Sequence, residues 1–144
     1  MKTLVESAKA AKAASLEVAQ LGTERKNEAL RAMAKALLER TPEILAANAK
    51  DMAKGRESGM PESLLDRLML NADRIAGMAE GLDQVAALPD PIGRVMDEWT
   101  RPNGLVIRKV RVPMGVIGII YEARPNVTVC LLYTSPSPRD GLLS

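Results

Sequence analysis

Asn126 follows Pro125 in the string EARPNVTV, Glu122–Val129, where an apolar run gives way to polar residues and a helix start. An uncharged amide held at a strand-to-helix turn can aim its N–H at a developing oxyanion. Removing one such donor from an acyl-transfer site costs on the order of 100- to 1000-fold in rate. The same residue type also caps helices and closes Asx-turns, so chemistry and local structure both account for it. Glu122 and Arg124 add one charge of each sign to the loop, and the chain's one thiol, Cys130, comes shortly after it. There is no histidine. Neither a Ser-His nor a Cys-His pair can therefore be assembled, a zinc site has almost no ligands, and one cysteine excludes an internal disulfide.

Positioning that loop requires a strand before it. GVIGIIYE, Gly115–Glu122, is a continuous apolar run, as expected of a strand covered on both faces in a parallel sheet. In open α/β sheets ligands bind at the carboxyl ends of such strands, which is where Glu122, Ala123, Arg124, Pro125 and Asn126 fall. LVIRKVRVP, Leu105–Pro113, is β-branched and partly alternating, with Ile107, Lys109 and Arg111 on one face, and reads as a half-exposed strand. GVIG is not the dinucleotide fingerprint, and no G-x-G-x-x-G occurs in the chain.

Ahead of the strands the chain is helical. An Ala-rich helix is predicted over Lys2–Gln20, ended by Gly22, and Thr23 is a candidate N-cap for the next. Leu30, Met33, Ala34, Leu37 and Leu38 then recur at the spacing of one buried stripe. Thr41-Pro42 restarts a helix with Thr as cap, carrying Ile44, Leu45 and Met52 and running out near Gly55. A short helix holds Leu64, Leu65 and Leu68. Asn71 caps a further helix with Ile75, Met78, Ala79, Leu82 and Val85 on its apolar face, stopped by Pro89 and Pro91. The predicted fold class is α/β, with helices over about 2–87 leading into strands over about 105–122.

Composition narrows the function classes. The 144 residues carry 20 basic and 18 acidic side chains, a net charge of +2 that argues against nucleic acid or an anionic membrane as partner. Glu6 and Glu17 interrupt the N-terminal stretch, and no arginine precedes Arg25, which disfavours a secretory signal, a membrane span or a mitochondrial presequence. A cytoplasmic location is the expectation. Aromatic content is only 2 %, a sparse supply for a complete core.

Three segments carry a family resemblance: NAKDMAKGRESGMPESLLDRL, LPDPIGRV and RVPMGVIGIIYEARPNVTV. On these, Met1 to Val129 resembles the N-terminal part of the gamma-glutamyl phosphate reductases, glutamate-5-semialdehyde dehydrogenases of the aldehyde dehydrogenase superfamily. The resemblance implies the opening of a dinucleotide-binding domain, truncated here, from an enzyme of proline biosynthesis. Such an enzyme uses NADPH to reduce L-glutamyl 5-phosphate to L-glutamate 5-semialdehyde with release of phosphate, through a thioester on a cysteine. It implies that Asn126 matches the superfamily's oxyanion-hole asparagine. Ile120, Tyr121, Glu122 and Ala123 would match backbone lining the nicotinamide side of the cofactor cleft, and Arg124 would contact substrate. Arg124 could meet the acyl phosphate or pair with Glu122. The nucleophilic cysteine would lie downstream in a separate catalytic domain, and no metal is implied. A homo-oligomer and association with glutamate 5-kinase are expected for the full-length protein.

Residues 130–144, CLLYTSPSPRDGLLS, depart from the family pattern, which continues with an amphipathic helix, a buried strand and a glycine-rich turn. CLLYTSPSPRD is similar to one reading frame of a sequencing-library adapter. Pro136 and Pro138 would also break the crossover helix that a parallel strand needs. The expectation is a non-native tail, with a natural disordered tail as the other reading. The chain by itself is then expected to be inactive. A free-standing helical interaction module is the alternative function, disfavoured because it would leave the 115–121 strand with unpaired edges.

Overall fold

The computed structural model describes residues 3–121 and 124–133. Elements follow in the order α1 (Leu4–Val18), α2 (Thr23–Glu39), α3 (Thr41–Glu57), α4 (Glu62–Leu68), α5 (Ala72–Ala86), β1 (Val95–Thr100), β2 (Val106–Val110) and α6 (Pro125–Tyr133). The chain divides into two compact units. One runs to Thr23 and resumes over Leu88–Gly118; the other comprises Glu24–Ala87 and the described residues from Ile119 onward.

The second unit is built on amphipathic helices. Ile75, Met78, Ala79 and Leu82 of α5 are buried with Ala34 of α2 and Val129 of α6, and Leu30, Met33, Leu37, Ile44, Leu45 and Leu70 pack around them. Of the stripe predicted on α2, Leu38 is the exception and stays 52 % exposed. Asn71 caps α5 as expected, its Oδ1 accepting from the Arg74 backbone N–H at 2.7 Å. Thr41 does not cap α3. It is already helical, Arg40 stands at the N-cap, and the Thr41 hydroxyl donates back to the Leu37 carbonyl at 3.1 Å. Helix α3 also continues past Gly55 to Glu57. Gly55 lies so close to Leu65 that an added Cβ would stand 3.0 Å from a Leu65 methyl, so the glycine permits the α3–α4 approach.

The first unit contains α1 and a β-hairpin. Helix α1 opens with a capping box, in which the Glu6 N–H donates to Thr3 Oγ1 at 3.2 Å and the Thr3 N–H donates to Glu6 Oε2 at 2.7 Å. Both hydrogen bonds favour the ionised Glu6, the backbone donor most, and hold its carboxyl below the ordinary value. Thr23 is the first residue of α2, and its hydroxyl donates to Asp90 Oδ2 at 3.2 Å.

β1 and β2 pair antiparallel, Trp99 opposite Ile107 and Glu98 opposite Arg108, with an irregularity between Val95 and Asp97. Arg101–Gly104 turns the hairpin. Gly104 adopts φ +84°, its N–H donates to the Arg101 carbonyl at 2.9 Å, and Asn103 Oδ1 accepts from the Leu105 N–H at 3.2 Å. β2 matches the strand predicted within 105–113. β1 was not predicted, although Asn103-Gly104 between two β-rich stretches is a hairpin signal.

The buried parallel strand expected over 115–122 is corrected: Gly115–Tyr121 forms no strand. Ile117 and Ile119 are nearly half exposed and Ile120 is fully exposed, and Gly115 sits at φ +89°. A parallel strand takes its hydrogen bonds from strands beside it and its burial from helices on both faces. Among the described residues the sheet has two strands, already paired with each other, so the apolar run has nothing to join. The helix at 125–133 also extends beyond Val129 into the segment expected to offer none. Among the described residues, no helix is long and apolar enough to cross a membrane.

Candidate functional site

A groove of about 440 Å³ opens in the helical unit between the α4–α5 connection and the start of α6. Asp66, Arg67, Met69 and Leu70 line it with Arg74, Gly77 and Met78 of α5 as one wall, and Arg124 and Asn126 supply the other side.

The first wall is fixed from behind by a buried amide. Asn48 of α3 is 6 % exposed; its Nδ2 donates to the Leu68 carbonyl and its Oδ1 accepts from the Leu70 N–H, both at 2.8 Å. One side chain thus satisfies two backbone groups in a turn that has no ladder of its own. Arg74 holds the same turn from the groove side. Its guanidinium donates to the carbonyls of Asp66 and Met69, the latter at 2.7 Å, and to Asp66 Oδ1 at 2.9 Å. The Arg74 and Asp66 side chains are 40 % and 64 % exposed, so the ion pair adds little stability and serves mainly to orient.

The opposite side is set by the seating of α6. Val129 is buried against α5 in the core, and the Tyr121 hydroxyl shares a hydrogen bond with the Thr128 hydroxyl. Pro125 is the first helical residue, where its missing N–H is harmless, and the Val127 N–H donates to the Arg124 carbonyl at 2.9 Å. Asn126 therefore lies one residue inside the first turn, and the cap position belongs to Arg124. The capping alternative for Asn126 is thereby corrected: its exposed amide faces the groove at the positive end of the helix.

Three guanidiniums, one carboxylate and one amide line this groove. Arg74 is committed to Asp66 and the turn carbonyls, whereas Arg67 and Arg124 have no ion-pair partner among the described residues. The balance of charge suits an anion, and Asn126 adds a neutral donor. Among the described residues no serine, threonine, cysteine, lysine or histidine lines the groove, so these residues can bind and polarise.

Of the residues singled out from sequence, Arg124 and Asn126 come together here. Ile120 and Tyr121 do not line the groove, and Glu122 and Ala123 lie outside the described residues. The Glu122–Arg124 pairing therefore falls outside them too. Cys130 falls within α6. Sequence reading missed Asn48, Arg67 and Arg74. For Asn48 a signal existed: it continues the Ile44, Leu45, Met52 stripe at positions where a buried apolar residue is expected. Arg67 and Arg74 sit among ordinary helix-surface charges, which carry no such mark.

Ile120 and Tyr121 expose their side chains, and a Cβ added at Gly115 or Gly118 would meet no protein atom within 4 Å. Among the described residues, no group of His, Cys, Asp and Glu could hold a metal ion.

No family model matches the chain. Among curated proteins, it is 64 % identical over 119 residues to gamma-glutamyl phosphate reductase of Moorella thermoacetica, covering 83 % of this chain and 28 % of that protein. It is 52 % identical over 129 residues to the same enzyme of Anoxybacillus flavithermus, covering 90 % of this chain and 31 % of that one. Among solved structures, gamma-glutamyl phosphate reductase of Thermotoga maritima superposes with a TM-score of 0.85 at 49 % identity, covering 89 % of this chain and 31 % of that one. The enzyme of Saccharomyces cerevisiae gives 0.83 at 31 % identity, covering 94 % and 35 %. The chain thus spans about three-tenths of the length of the curated relatives it matches.

Proposed function

The chain is a relative of the gamma-glutamyl phosphate reductases, and we propose that its first 129 residues are the N-terminal part of such an enzyme, followed by a non-native tail over 130–144. The whole protein reduces L-glutamyl 5-phosphate to L-glutamate 5-semialdehyde with release of phosphate, in proline biosynthesis. It works in the cytoplasm as a homo-oligomer, in association with glutamate 5-kinase. NADPH supplies the hydride; Ile120–Ala123 would border it, and the rest of its site lies in residues this chain does not contain.

The observation that carries this reading is the meeting of Arg124 and Asn126 in one cationic groove. An acyl phosphate carries its carbonyl oxygen and its phosphate on the same carbon. The Asn126 amide suits the oxygen, which gains charge as the carbonyl becomes tetrahedral, and the Arg124 fork suits the phosphate that leaves. A groove whose described lining offers no thiol or hydroxyl is half a site, in keeping with a cysteine contributed by later residues. The tail reading is supported by matches of 119 and 129 residues within a chain of 144.

Reading the genomic DNA beyond the codon for Val129 tests the proposal. A reductase frame that continues for several hundred codons is expected, and a native stop codon soon after Val129 would refute it. The purified 144-residue chain is expected to show no NADPH-dependent turnover in either direction.

A further inference from the structure

Arg67 lies in the last turn of α4 and lines the groove with Arg124, and nothing in the local structure requires a guanidinium there. Arg74 already satisfies Asp66 and the carbonyls of the turn, Asn48 holds the turn from behind, and the Leu65 side chain anchors α4 in the interior. Arg67 is exposed, has no ion-pair partner among the described residues, and faces the same space as Arg124 and the first turn of the nine-residue α6. Two guanidiniums with no ion-pair partner among the described residues, lining one groove with the first turn of α6, suit a doubly charged tetrahedral anion.

We infer that Arg67 binds the phosphate group of the ligand together with Arg124. That this phosphate belongs to an acyl phosphate substrate rests on the reductase reading; that the groove holds a phosphate does not. Arg67 is then a specificity-determining residue, favouring a phosphorylated acyl group over the free carboxylate. The wall that carries it is rigid because Asn48 and Arg74 hold both sides of one turn.

The test uses the full-length protein and inorganic phosphate as probe, with binding followed by calorimetry and, in the dehydrogenase direction, by the KM for phosphate. Arg67→Gln is expected to weaken phosphate by about 10- to 100-fold, the range for losing hydrogen bonds to a charged group. Arg67→Lys, which keeps the charge without the fork, is expected to recover part of the loss. Binding of NADPH and of L-glutamate should stay within about twofold in both variants, and unchanged circular dichroism melts show that the fold is intact. Phosphate binding within twofold of the parent in Arg67→Gln overturns the inference. An equal loss for NADPH overturns it as well, by moving Arg67 to the cofactor, and an equal loss for L-glutamate does so by moving it to the carboxylate. If the full-length protein has no reductase turnover yet loses phosphate on Arg67→Gln, the inference stands and the reductase reading fails.

Discussion

The two units of this chain use apolar residues in opposite ways. In the helical unit Ile75 and Leu82 are completely buried, and neighbours from three other elements close over them. In the other unit, which holds α1 and the hairpin, no described residue is fully buried, and Leu4, Val112 and Met114 are each at least 70 % exposed. Burying a Leu or Ile side chain contributes about 1.5–3 kcal/mol, so the helical unit has a source of stability that the other lacks. Local devices hold the hairpin unit instead: a capping box, a hairpin ladder and glycine turns.

Truncations should separate the two kinds of stability. Ile75→Ala is expected to cost the helical unit about 2–5 kcal/mol, seen as a large drop in the urea midpoint by circular dichroism at 222 nm. Val112→Ala, at 70 % exposure, should change stability by less than about 0.5 kcal/mol in the same measurement. Comparable losses for the two would remove the contrast. Asn48→Ala comes next: it leaves the Leu68 carbonyl and Leu70 N–H without their partner, at about 1–3 kcal/mol. Slowed exchange of the Leu70 amide in the parent, lost in the variant, would identify the clamp itself.

In the hairpin, Gly104→Ala places a Cβ at φ +84°, at a cost of about 1–2 kcal/mol confined to that unit. Trp99, the chain's one tryptophan, lies in β1 and reports it by fluorescence. The smallest effect concerns pH. Ionised Glu6 is favoured in the folded state, so its contribution to α1 is present above the unfolded carboxyl pKa. It is lost as pH falls through the lowered folded value. Exchange of the Glu6 amide should speed up on acidification, and Glu6→Gln should flatten that dependence.

The same contrast explains what the sequence discloses. Helix existence and the α5 stripe were legible because 3.6-residue periodicity and the Asn71 cap act over a few residues. The 115–121 run was read as a buried strand because its composition encodes an environment, and that environment depends on neighbouring strands that the described residues do not contain. Thr41 has the residue type of a cap but bonds backward to Leu37, a choice made by the tight α2–α3 junction. In the groove, Asn126 and Arg124 were legible from the loop and the family resemblance. Arg67 and Arg74 were not, because an arginine on a helix surface is ordinary until the fold brings other polar groups into one groove with it.

The central claim is that Asn126 belongs to an oxyanion-stabilising site and not to a helix cap, and turnover of the full-length protein tests it most directly. Asn126→Ala is expected to lower kcat by about 100- to 1000-fold, with thermal unfolding and NADPH binding unchanged. Turnover within about threefold of the parent would contradict the account, and would leave Asn126 as a first-turn residue that happens to face the groove.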